Sequence, residues 1–128
     1  MKRIVYALIL AGALAVPAIA HHSFGPFYDA SKTVDAQGVV TKLLVKNPHS
    51  VLYFDETKNG EKIEWQIELG TGAQLARNNL TVENLKPGTE IKVQGRPARN
   101  PDAHGMCCVL SLTKADGTPI LRGRVPEK

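Results

Sequence analysis

Four histidines, two adjacent cysteines and a methionine carry most of the chemistry this chain of 128 residues can offer. His21 and His22 stand next to each other, His49 follows Asn47-Pro48, and His104 precedes Gly105-Met106-Cys107-Cys108. Imidazole and amine nitrogens suit copper(II), while thiol and thioether sulfur suit copper(I). If the chain is cut between Ala20 and His21, the new α-amine and the His21 imidazole close one chelate ring. A further histidine would complete a three-nitrogen, T-shaped copper site, the arrangement called a histidine brace. The candidate ligands are therefore His21, His49, His104, Met106 and Cys107, with His22 as an additional one.

The plainer readings of the same residues stand beside this one. A histidine after Asn-Pro commonly caps a turn, and His104 between Ala103 and Gly105 reads equally as a solvated loop residue. Residues near a chain terminus are often poorly ordered. There is no His-x-His, Cys-x-x-Cys or His-Glu-x-x-His spacing to sharpen the metal signal. Consecutive cysteines cannot staple distant segments, and a bridge between neighbours closes a strained ring, so the pair does not make a disulfide scaffold.

The cut itself is legible in the first twenty residues. Lys2 and Arg3 give a positive start, Ile4 to Val16 is almost unbroken apolar sequence, and Pro17 breaks it before Ala18-Ile19-Ala20. That is the layout of a secretory signal with a small-x-small cleavage site. The apolar run is short for the roughly 20 residues a spanning helix needs. No Cys stands at the first mature position, which argues against a lipid anchor. Export leads to a periplasmic or secreted product, with no membrane association after cleavage.

The mature chain, from His21 on, loses Lys2 and Arg3 and keeps fourteen basic against twelve acidic residues. So mild a balance, without a clustered basic stripe, excludes a nucleic-acid partner. A body of this size makes one domain with a modest core.

The elements that must position the candidate ligands follow from periodicity. Residues 21–33 hold Phe24, Phe27 and Tyr28 among small residues and read as an arm laid against the body, because exposed aromatics at that density are costly. The body is 34–128. Alternation predicts a first strand from Val34 to Lys46, interrupted at Asn47-Pro48-His49, and a second from Ser50 to Asp55. Lys58-Asn59-Gly60 predicts a hairpin turn. The third strand is the cleanest, with Ile63, Trp65, Ile67 and Leu69 on one side and Lys62, Glu64, Gln66 and Glu68 on the other. The period then changes, and 71–79 predicts two helical turns. Lys86-Pro87-Gly88-Thr89 suits a type II turn. A fourth strand at 90–96 puts Ile91 and Val93 inward, and a fifth runs 106–113 after a loop.

Three strands, a short helix and two strands is the order of an OB barrel, so the expected fold is all-β, a five-stranded OB-like barrel. The loops after strands one and four, carrying His49 and His104, flank one face in that fold. Alternation along strand five puts Cys108 with Leu110 and Leu112 in the core and leaves Cys107 with Val109 and Ser111, partly exposed. Tyr53, Phe54 and Trp65 offer an aromatic platform for a ligand, but Trp65 lies on the apolar side of its strand and is better read as core. Asp55, Glu56, Glu64 and Glu68 fall on solvated faces with no acid-base pairing across a cleft. No nucleophile elbow, triad or phosphate loop is present, so an enzyme is not expected, although a copper centre could be catalytic.

The His21-His22-Ser23-Phe24 start, Asn47-Pro48-His49, Trp65, Glu68-Leu69-Gly70, Leu85-Lys86-Pro87-Gly88 and Gly95 together resemble a family of small secreted bacterial proteins of about this length. The resemblance spans the mature chain, and its most specific elements are the double-histidine start and Asn-Pro-His. It implies a periplasmic location and an OB-like barrel, and no activity. Met106-Cys107-Cys108 departs from the pattern and takes no role from it. The reading is thus a periplasmic, non-enzymatic binding module for copper. The alternative is an accessory protein that docks a protein or small ligand through its barrel face and aromatic arm, without metal.

Overall fold

The computed structural model describes residues 24–121. The signal segment at 1–20 and the candidate ligands His21 and His22 lie outside the described residues. Five strands, β1 (Val34–Leu44), β2 (Val51–Lys58), β3 (Glu61–Glu68), β4 (Glu90–Pro97) and β5 (Gly105–Lys114), close into a barrel in the order β1-β2-β3-β5-β4. One helix, α1 (Gly72–Arg77), sits between β3 and β4. β1 pairs antiparallel with both β2 and β4, and the barrel closes through a short parallel contact of β3 with β5 at Gln66–Gly105 and Ile67–Met106. This is the OB topology. Among the described residues no helix is long and apolar enough to cross a membrane.

Local chemistry sets the corners. Asn59 and Gly60 both take positive φ, 53° and 80°, as a two-residue type I′ hairpin requires. Thr71 caps α1 by accepting from the Gln74 N–H, while the Gln74 side chain accepts from the Thr71 N–H. Gly38 lets β1 serve two neighbours, because a Cβ there would overlap the Asp55 carbonyl of β2.

The inward faces of the strands and the helix fill the barrel. Leu52, Phe54, Ile67, Leu85 and Met106 have no exposure, and Leu75 of α1 closes one end with Leu80. Burying each such side chain stabilises by about 1.5–3 kcal/mol. Trp65 is only half-buried. Its ring stacks on Phe54 with a 4° interplanar angle and its indole N–H donates to Glu56 Oε2 at 2.9 Å.

The expectation for the cysteines is corrected. Cys107 is fully buried and Cys108 is exposed, the reverse of simple alternation. The cause is a bulge: two steps along β4, Gln94 to Arg96, pair with four along β5, Ser111 to Cys107. Cys108 takes φ of 52°, which turns the strand over and resets the faces from that point.

Segment 24–33 lies along the barrel. Asp29 N–H donates to the Pro97 carbonyl, Arg99 N–H to Phe27, and the Arg99 guanidinium to the Gly25 carbonyl. Arg96 holds the other end through the Lys32 carbonyl and Thr33 hydroxyl.

Candidate functional site

The site is built where the loop after β1, the end of β3 and this segment meet. Ser50 shapes the loop, with its hydroxyl bonded to both backbone groups of Lys46 and its own N–H donating to the Gly70 carbonyl. The Ser50 carbonyl in turn accepts from Leu69. His49 is thereby fixed next to Glu68, and its Nδ1 stands 3.1 Å from Glu68 Oε1. The other carboxylate oxygen, Oε2, accepts from the Tyr28 hydroxyl at 2.9 Å. One carboxylate thus ties together three segments far apart in sequence. Phe24 covers this cluster, with its ring edge-on to His49 at 6.1 Å and 6.1 Å from Tyr28.

Burial, then the hydrogen bond to Glu68 and its charge, push the Tyr28 phenol well above its ordinary value, so it stays a donor. Burial likewise pushes the Cys107 thiol up, followed by its hydrogen bond with Cys108. A thiol with no exposed surface and a raised pKa is a poor metal ligand.

Two grooves share the His49–Glu68 pair as a wall. One, of about 470 Å³, runs over the outer face between the loops after β1 and β4, with Tyr28, His49, Gln66, Glu68 and Asn100 along it. The other, of about 460 Å³, lies toward α1 and is lined by Phe24, His49, Glu68, Leu75 and Cys108. A third groove of similar volume, beside Asp35, Glu56 and Gln94, has neither histidine nor sulfur on its walls.

The candidate ligands are only partly brought together. His104 caps the turn at 101–103 in a left-handed conformation, and its ring packs on Trp65 at 5.7 Å. Trp65 and Glu68 lie three residues apart on β3 and so point to opposite faces, which separates His104 from His49. Met106 and Cys107 are corrected to core residues, since both side chains are wholly buried. Among the described residues no three His, Cys, Asp or Glu side chains stand close enough to hold one ion. His49 with Glu68 is the pair that remains, and His21 and His22 fall outside.

Tyr28 and Glu68 were not readable as site residues. Glu68 does sit on the outer face that alternation assigns it, but the segment at 24–33 folds over that face. Its one sequence signal is the cluster of Phe24, Phe27 and Tyr28.

The model of DUF6152, described as a family of unknown function, matches residues 9–108. No curated protein matches the chain.

Proposed function

The chain belongs to the DUF6152 family, and for this member we propose an exported OB barrel that binds copper through the amine and imidazole of a mature His21 together with His49. The observation that carries the reading is Phe24, seated edge-on to His49. His21 is three residues before it, and three residues span at most about 10 Å. The anchored aromatic therefore keeps a terminus beginning at His21 within reach of the His49 ring.

Glu68 supplies the second support. A metal-binding histidine commonly gives its other N–H to a carboxylate, which fixes the tautomer and raises ligand basicity. With the Glu68 carboxylate 3.1 Å from Nδ1 and held still by the Tyr28 hydroxyl, His49 would offer Nε2 to copper. Three nitrogens and no charged first ligand suit copper(II) over hard cations.

The test is a copper(II) titration of exported protein beside His49→Ala, with nitrogen hyperfine structure read by electron paramagnetic resonance. One-to-one binding with three nitrogens, falling to two in the variant, supports the reading. An unchanged spectrum in the variant overturns His49 as a ligand.

A second reading is favoured by Phe27, which is 69% exposed beside the outer groove. An accessory module would use that ring and groove to dock a protein or small ligand. It gains if copper binds weakly and equally to both forms.

A further inference from the structure

We infer that Cys107 and Cys108 are a redox-active dithiol that closes reversibly to a vicinal disulfide under a disulfide-bonded oxidant. In a regular strand neighbouring side chains leave opposite faces and their sulfurs diverge. Here the β5 bulge falls on the pair, and Cys108 takes the left-handed φ of 52°. The neighbouring Cys108 thiol is, after burial, the next cause that raises the Cys107 thiol above its ordinary value. Left-handed backbone favours Gly or Asn, and Cys108 is exposed, so neither backbone preference nor core packing calls for a cysteine there. Backbone held outside its ordinary range at a reactive side chain points to chemistry.

The exposures divide the work. Cys108 faces solvent on the groove that also holds His49 and Glu68, while Cys107 has no exposed surface. The Cys108 thiolate attacks one sulfur of the oxidant, forming a mixed disulfide and expelling the first thiolate. Cys107 then attacks the Cys108 sulfur as its thiolate, and the second thiolate leaves and takes up a proton. Two thiols lose two electrons and two protons, and the oxidant becomes two thiols. Because burial holds the Cys107 thiol above its ordinary value, the second step is the slower one and quickens with pH.

Consecutive Cα atoms lie about 3.8 Å apart across a trans peptide, closer than the roughly 4.4 Å lower bound of ordinary disulfides. The ring is therefore strained and easily reduced, as suits a switch rather than a staple.

The experiment equilibrates copper-free protein in glutathione buffers of graded poise, then unfolds it in an alkylating agent and reads intact mass. The absence of copper keeps the result independent of the metal reading. The expected oxidised species is a monomer lighter by two hydrogens, with both sulfurs protected, reverting fully in reducing buffer. Cys107→Ser should carry only glutathione on Cys108, and Cys108→Ser should leave Cys107 alkylatable. Peptide mapping should place the ring within residues 107–108. Wild-type protein with glutathione on Cys108 and an alkylated Cys107 would overturn the proposal. So would two alkylated sulfurs in the most oxidising buffer, or disulfide-linked dimers.

Discussion

His49 Nδ1 and Glu68 Oε1 meet at 3.1 Å, joining the loop after β1 to the last residue of β3. The pair is part-exposed, so its Coulomb energy adds little to stability in water. Its consequence is orientation: the ring is held by one edge, beside the segment through which the chain enters the barrel.

Replacing Glu68 by Gln should therefore act on the metal more than on the fold. Loss of a carboxylate partner behind a ligating histidine typically costs about 10–100-fold in metal affinity. Competition titration should show that loss in Glu68→Gln, while the urea midpoint moves little.

Tyr28→Phe removes the bond that ties residues 24–33 to Glu68. A hydrogen bond to a charged group is worth about 1.5–3 kcal/mol, and part-exposure puts this one at the low end. Urea unfolding should read that loss, and amide exchange should quicken at Asp29 and Arg99, whose N–H groups bond across the same contact.

Gly38→Ala tests the barrel's closest backbone approach. The added methyl would overlap the Asp55 carbonyl and crowd the Phe54 ring, so β1 and β2 must part. Such overpacking costs about 1–3 kcal/mol or more, and a lowered thermal midpoint with unchanged strand content near β4 would mark it.

Alkaline stability follows from the two raised acids. The unfolded chain ionises its thiol near 9.0 and its phenol near 10.0, whereas the folded state keeps Cys107 and Tyr28 protonated above those values. The folded state then binds more protons, so stability is full below about pH 9 and falls as pH rises beyond it. The urea midpoint should drop from pH 9 upward, and less steeply in Cys107→Ser.

Periodicity made the barrel readable. Ile63-Trp65-Ile67-Leu69 and Ile91-Val93 alternate as the strands do, Asn59-Gly60 turns as its residue types require, and Thr71 caps the helix it was expected to start. The cysteine faces were not readable, because alternation holds only until a bulge, and nothing in Met-Cys-Cys-Val announces a left-handed residue. The site was half readable. His49 lies in the loop between β1 and β2, where periodicity puts it, but its neighbours depend on how residues 24–33 dock, which is a matter of tertiary register. His104 was placed in a flanking loop, and its side chain instead turns to Trp65.

In the proposed site a terminus at His21 and His49 share one copper ion. It is tested most directly by copper(II) titration of protein whose His21 start is confirmed by intact mass, beside the same protein with one extra Ala before His21. The expected result is tight one-to-one binding that is lost on extension, because the added residue removes the amine from the chelate ring. Weak binding, or equal binding by both forms, would contradict it.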